Sequence, residues 1–298
     1  MTEERTRGRL IRGVGGLYTV RDEAGAEYTL RARGKFRREG LSPLVGDRVL
    51  FTPGKGEAHG WLEEILPRSS RLVRPPAANV SLLVIVLAAE PAPDWLLADR
   101  LLVYAGQSGF DALLCVNKHD LDPALLPRVR RQYAPSGFSV LGVSALTGEG
   151  IAPLRERMRG EICCMAGQSA VGKSTLLNAL CGLRLKTGEL SKIRRGRHTT
   201  RHAELLEADG LTVLDTPGFS LLKLDAALAP ECLQNFYPEF LGRGGCRFLP
   251  CLHDREPGCA VRAAVAAGDI DEDRYERYRV LLSEVREAWK GRYRSNGG

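Results

Sequence analysis

Gly167-Gln168-Ser169-Ala170-Val171-Gly172-Lys173-Ser174 fits G-x-x-x-x-G-K-S. Glycines at the two fixed positions let backbone N–H groups turn inward around phosphate oxygens. The lysine neutralises charge on the β- and γ-phosphates at the positive end of a helix, and the serine hydroxyl suits Mg²⁺. The flanks agree: residues 162–166 are apolar, and Thr175 opens the helix-forming stretch TLLNAL. A strand, a loop and a helix therefore follow one another, as this chemistry requires. Asp215-Thr216-Pro217-Gly218 closes a second apolar run, residues 211–214. That places a carboxylate at the end of a strand, where open α/β sheets bind ligands, so Asp215 becomes a second candidate for Mg²⁺.

Asn117-Lys118-His119-Asp120 follows the apolar run 112–116 and spells N-K-x-D. A fixed carboxylate at Asp120 accepts from both guanine N1–H and its N2 amino group. Adenine lacks the amino group and presents an acceptor at N1, which would leave the charge unpaired. Lys118 can lay its stem over the ring, and Asn117 can tie the loop to its surroundings. About 24 residues beyond Asp120, Ser144-Ala145-Leu146-Thr147-Gly148 follows another apolar run and suits a loop whose backbone supports the guanine carbonyl. Two base motifs in this order, each after its own strand, point to a guanine pocket that takes GTP or GDP.

The order along the chain is base, then phosphate, then Asp215, whereas ordinary small GTPases place the phosphate loop first. The arrangement is that of a circular permutation, which leaves the three-dimensional site intact where termini lie close together. Between the phosphate loop and Asp215, the polar, basic stretch 188–202 suits a first switch. In it, Thr199 or Thr200, with Thr200 preferred, would ligate Mg²⁺ and sense the γ-phosphate. Phe219 stands where signalling GTPases carry a water-positioning glutamine. Intrinsic hydrolysis is therefore expected to be slow, with His198 the nearby candidate for the missing group and a plain surface histidine the alternative.

Cys246-x₄-Cys251-x-His253-x₅-Cys259 gathers three thiols and an imidazole within 14 residues. This donor set suits one tetrahedral, structural Zn²⁺. Cys115, Cys163, Cys164 and Cys181 lie in apolar strands or a helix and read as packing residues.

The elements that must hold these groups in place divide the 298 residues into three. Five short β-prone runs between residues 9 and 66, separated by glycine-rich breaks, suggest an OB-fold barrel over 1–72. Its basic cluster Arg31, Arg33, Lys35, Arg37 and Arg38 is expected in a loop after the third strand, facing nucleic acid or, as the alternative, merely solvated. Residues 67–78, with three prolines, read as a linker. From 73 to 226, apolar runs alternate with helical stretches at 94–106, 123–133 and 173–183, which implies a mostly parallel sheet. Residues 227–298 read as a small helical unit at 261–267 and 273–292, short enough to want a metal staple.

Net charge is +7, from 43 Lys and Arg against 36 Asp and Glu, and is compatible with a polyanionic partner. The apolar run at 80–89 is about half the roughly 20 residues that a membrane span needs. The opening MTEERTRGRL lacks the apolar core of an export signal, so no membrane association and a cytoplasmic location are expected.

With these motifs in hand, the sequence resembles the ribosome small-subunit-dependent GTPase A family over nearly its whole length. The resemblance rests on residues 117–120, 167–174, 196–200 and 215–218 and on the Cys246/Cys251/His253/Cys259 spacing. It implies an OB-fold, a circularly permuted GTPase and a zinc-binding helical domain. It also implies GTP hydrolysis stimulated by the 30S subunit during late maturation, contacts to 16S rRNA, and a catalytic role for the histidine at 198. A monomer is the expected state. Two other classes stay open: a GTP-regulated RNA-binding module without significant catalysis, and an assembly GTPase of the large subunit.

Overall fold

The computed structural model describes residues 5–54, 56, 58–73, 76–182, 203–215, 224–225 and 227–292. Strands β1 (Thr6–Val14), β2 (Leu17–Asp22), β3 (Glu27–Ala32), β4 (Arg48–Thr52) and β5 (Gly60–Ile65) run in the order β1-β2-β3-β5-β4. β4 pairs back to β1, closing a barrel. Alternation drives the closure: Val20, Leu30, Val49, Phe51 and Leu62 are fully buried inside, while their neighbours along each strand face outward. Gly8 is required where the walls approach, since a Cβ there would lie 2.6 Å from Val20 Cγ1.

Two expectations for this region need correction. The basic cluster is not a loop: Arg31 lies on β3, and Lys35, Arg37 and Arg38 lie on a short helix, α1 (Gly34–Arg38), anchored by buried Phe36. Nor is 67–78 a linker, because β6 (Arg71–Val73) and β7 (Pro76–Ala78) form a hairpin whose Leu72, Ala77 and Ala78 are fully buried. Asn79 fastens it to the barrel, donating from Nδ2 to Gly46 O at 2.9 Å and accepting from Ser69 N–H at 2.9 Å. Proline content signals a break in regular structure, but here the apolar residues on either side of Pro75 and Pro76 find a core.

The central part follows as β8 (Leu82–Ala88), α2 (Trp95–Ser108), β9 (Asp111–Asn117), α3 (Leu125–Tyr133), β10 (Ser139–Gly142) and α4 (Ile151–Met158). It ends with β11 (Ile162–Ala166), α5 (Lys173–Cys181), β12 (Glu204–Ala208) and β13 (Leu211–Asp215). Strand order is β10-β9-β8-β11-β13-β12, parallel throughout except β12, which is antiparallel to β13. β8 explains its own unbroken apolar run: Leu83, Ile85 and Leu87 enter the core on one face, and Leu82, Val84, Val86 and Ala88 the core on the other. β12 also touches the barrel, pairing Arg12 of β1 with Glu204, so the barrel and the central sheet are hydrogen-bonded edge to edge. Glu207 on β12 adds ion pairs to Arg9, at 3.7 Å, and to Arg21.

After β13 come two 3₁₀ segments, Pro230–Phe236 and Pro238–Phe240, and then α6 (Ala260–Ala266) and α7 (Glu272–Gly291). This unit does not complete a core alone. Val103 of α2 belongs to the same apolar cluster as Leu233, Tyr237, Tyr278 and Leu282. Gly106 of α2 admits the Phe236 ring so closely that a Cβ would lie 2.6 Å from it. No helix among the described residues is long and apolar enough to cross a membrane.

Candidate functional site

Parallel pairing sets the carboxyl ends of β9, β10, β11 and β13 along one edge of the sheet, and every nucleotide motif follows one of these ends. Asn117 is the last residue of β9, the loop after β10 begins near Ser144, Gly167 follows β11, and Asp215 closes β13. Such an edge is where open α/β sheets hold ligands.

In the phosphate loop, Gly167 and Gly172 take φ of +135° and +92° and Ala170 takes +66°. A Cβ at Gly167 would sit 2.3 Å from Val86 O, and one at Gly172 would sit 2.5 Å from Asn117 Nδ2. Both glycines are thus imposed by conformation and by space. Lys173 donates from Nζ to Gly167 O at 2.8 Å and Gln168 O at 2.7 Å, which holds its ammonium across the mouth of the loop. Partial burial lowers its pKa, and an arriving phosphate would favour the charged form again. Ser174 is exposed and Thr175 half-buried in the first turn of α5, while Ser169 and Ala170 are exposed on the loop and Val171 is buried beneath it.

Gln168 has a role its motif position does not announce. It accepts from Asp94 N–H at 2.6 Å and donates to Ala92 O at 2.9 Å, clasping the loop that leads into α2. Nothing in the spacing of the motif could have revealed that contact, because Asp94 is far away in the chain.

The base motif is joined to the phosphate loop directly. Asn117, 1% exposed, donates from Nδ2 to Val171 O at 2.9 Å and accepts from Ala145 N–H at 3.1 Å. Lys118, at φ +55°, reaches over to Ala170 O at 3.0 Å and Glu90 O at 2.6 Å. Buried Ser144 accepts through Oγ from Thr147 N–H at 3.1 Å, shaping the loop that presents Ala145. His119 turns aside, its Nε2 3.1 Å from Glu149 Oε1. Asp120 is exposed. His198, Thr199, Thr200, Gly218, Phe219 and the whole stretch expected to form the first switch lie outside the described residues.

Far along the chain, Cys246, Cys251, His253 and Cys259 converge so that their ligand atoms all lie within 4.8 Å of one another. His253 Nδ1 is 3.3 Å from Cys259 Sγ and 3.8 Å from Cys246 Sγ. Ligand bonds of about 2.0–2.3 Å in a tetrahedron imply ligand–ligand distances of roughly 3.3–3.8 Å, so the donor set and these two separations fit zinc. Burial pushes the Cys251 thiol up to about 12 and the His253 imidazole below its ordinary range. A divalent ion would displace the thiol protons on binding. The loop carrying the ligands is itself held. Glu256 accepts from the N–H groups of Leu252, Asp254 and Arg255 at 2.9–3.1 Å, and Asp254 pairs with Arg279 at 3.1 Å and Arg286 at 2.8 Å of α7. Cys115, Cys163 and Cys181 are buried and clear of the cluster, in keeping with packing roles.

Between α2 and the C-terminal unit lies a buried charge network that motif reading did not find. Arg274 of α7, 1% exposed, donates from Nη1 to Asp99 Oδ1 at 2.5 Å and from Nε to Glu239. Its guanidinium lies between the rings of Tyr133 and Tyr237, 4.6 and 4.8 Å from their centroids. Asp99 also accepts from the Tyr133 hydroxyl at 2.6 Å and from Arg277 Nε at 2.5 Å. Burial disfavours the charge on Arg274, but Asp99 and Glu239 outweigh it and raise the pKa.

Comparison with known proteins gives the same picture. Residues 7–62 match the RsgA N-terminal domain and residues 65–225 the RsgA GTPase. The chain is 44% identical over 298 residues to a protein of Caldanaerobacter subterraneus subsp. tengcongensis named small ribosomal subunit biogenesis GTPase RsgA, covering 98% of this chain and 100% of that one. A protein of the same name from Moorella thermoacetica is 46% identical, covering 93% and 97%. Among solved structures, YjeQ from Thermotoga maritima superposes with a TM-score of 0.83 at 36% identity over 95% of this chain and 99% of that one. YloQ, described as a circularly permuted GTPase, gives 0.79 at 31% identity over 95% and 96%. A barrel, a permuted nucleotide-binding sheet and a Cys/His cluster in one chain, matched along almost their full length, place this protein in the RsgA GTPase family.

Proposed function

We propose that this protein hydrolyses GTP at the carboxyl edge of its central sheet and does so in the biogenesis of the small ribosomal subunit. The observation that carries the site is the Asn117 side chain, which bonds the phosphate loop through Val171 and the base loop through Ala145. A nucleotide spanning both would meet one pre-organised surface. In this reading Lys173 acts on the β- and γ-phosphates, and the backbone of residues 167–172 cradles them. Ser174, Thr200 and Asp215 hold Mg²⁺, Thr175 and Gly218 complete the phosphate surroundings, and Ser144 and Ala145 support the guanine carbonyl. Lys118 and Asp120 engage the base, and His198 positions the attacking water. The three units are 1–72, 73–226 and 227–298, with the β6–β7 hairpin straddling the first boundary and the last unit stapled by one zinc ion on Cys246, Cys251, His253 and Cys259.

The relatives' shared name, small ribosomal subunit biogenesis GTPase, supports the 30S subunit as partner, with 16S rRNA against the basic barrel. A cytoplasmic monomer suits that role. The test is phosphate release from GTP by the protein alone, with 30S and with 50S subunits. Stimulation by 30S alone is expected, on the order of 10²-fold or more if the subunit supplies or orders a missing catalytic group. Bound GTP with no stimulation by either subunit would leave a regulated binding module, and stimulation by 50S alone would move the assignment to the large subunit.

Specificity has its own test. Asp120→Asn replaces two acceptors with one acceptor and one donor, which suits the C2 carbonyl of xanthine better than the amino group of guanine. GTP affinity should fall by about 10²-fold and XTP affinity should rise, as measured by competition against a fluorescent nucleotide. Unchanged guanine preference would remove Asp120 from the base site.

A further inference from the structure

The metal centre has a side-chain partner outside its ligand run. Gln234 sits on the 3₁₀ segment Pro230–Phe236, upstream of the first cysteine ligand, and its Oε1 lies 2.6 Å from His253 Nε2. Its amide is oriented by its other end: Nε2 donates to Glu231 O at 2.9 Å and to Cys251 O at 3.3 Å. The opposite orientation would aim an amide oxygen at two carbonyl oxygens, so the network settles which atom faces the imidazole. An acceptor at 2.6 Å from Nε2 requires that nitrogen to carry the proton. The unprotonated nitrogen is then Nδ1, which faces Cys259 Sγ at 3.3 Å and Cys246 Sγ at 3.8 Å. The backbone that carries the ring is fixed too: Tyr275 donates its hydroxyl to His253 O at 2.7 Å, and His253 itself stands at φ +55°.

We infer that Gln234 is the positioning residue of the metal centre, selecting the imidazole tautomer that turns His253 Nδ1 toward the three thiolates. The inference rests on the zinc reading of the Cys/His cluster. Partners of this kind fix the ring and raise the basicity of a ligating imidazole, and their loss weakens metal binding. With zinc bound, the same contact would tie the ion to the 3₁₀ segment that follows the Asp215 strand and packs Phe236 against α2.

The test compares the full chain with Gln234→Leu, which removes the acceptor at similar volume, and Gln234→Glu, which keeps it. Zinc affinity is read by competition with a chromogenic chelator, and the imidazole by long-range ¹H–¹⁵N correlation spectra of the zinc-loaded protein. Gln234→Leu should bind zinc about 10–100-fold more weakly, and Gln234→Glu should stay within about threefold of the parent. The parent spectrum should show His253 bound through Nδ1 with a proton on Nε2. Parent-like affinity in Gln234→Leu, or zinc on Nε2 in the parent, overturns the inference. A parent chain that takes up no zinc overturns the zinc reading itself and the inference with it. Should Gln234→Leu fail to fold, the parent spectrum and the Gln234→Glu affinity still decide.

Discussion

Replacing Lys173 by alanine is expected to lower GTP turnover on the order of 10²–10³-fold, the loss typical of removing one pre-organised group that faces developing charge. Among the described residues, the other lysine of the site is already engaged elsewhere. Lys173 Nζ is held by the carbonyl oxygens of Gly167 and Gln168 at the mouth of the loop, and Lys118, the other lysine of the site, is committed to Glu90 O and Ala170 O. The substitution removes a partly buried cation and leaves the hydrophobic side of α5 untouched, with Leu176, Leu177 and Leu180 in the core as before. Circular dichroism and zinc content should therefore match the parent while phosphate release collapses. Parent-like turnover would sink the assignment of the phosphate site.

The largest loss of stability is expected from Asp99→Ala. Asp99 is shared by Arg274, Arg277 and the Tyr133 hydroxyl, and its side chain is fully buried. Deleting one partner of a buried ion pair strands charge away from water, which typically costs about 3–5 kcal/mol. Here two guanidinium groups lose a partner, although Glu239 continues to engage Arg274. Asp99→Asn keeps an acceptor for one of the donors and should fall between the parent and the alanine variant. Because the network joins α2 to α7, unfolding of the C-terminal unit should move to lower denaturant concentration, followed by exposure of Trp289 near the end of α7. An unchanged midpoint in Asp99→Ala would show that the network carries no net stabilisation.

Much of the central sheet was legible. The runs around β8, β9, β11 and β13 are apolar because a parallel strand covered on both faces needs buried side chains at every position, and that pattern survives without any knowledge of neighbours. The hairpin β6–β7 and strand β12 were not legible. Pro76 and the prolines around it mimic a linker, and Glu204-Leu205-Leu206-Glu207 shows no clear alternation, since this strand is exposed on part of one face and joined to β1 at its other edge. α1 was hidden for a related reason: five residues with four charges or glycines carry too little periodicity, and one buried ring, Phe36, holds the turn in place.

At the sites, the residue types and their short spacings were readable without the fold: the G-x-x-x-x-G-K-S stretch at 167–174 proposed to cradle phosphate, the N-K-x-D stretch whose Asp120 is proposed to read guanine, and a soft four-donor set at Cys246, Cys251, His253 and Cys259. These follow from residue type at fixed short spacing, which local geometry enforces wherever the segment folds. The fold was needed to show that Asn117 bolts the 144–148 loop to the 167–172 loop, that Gln168 clasps the approach to α2, and that Gln234 faces His253. It alone decided that Asp99, Glu239 and Arg274 meet in the interior. Each of those contacts joins segments far apart in the chain. Their registry is set by strand pairing and by the packing of whole faces, not by the spacing of the residues that touch.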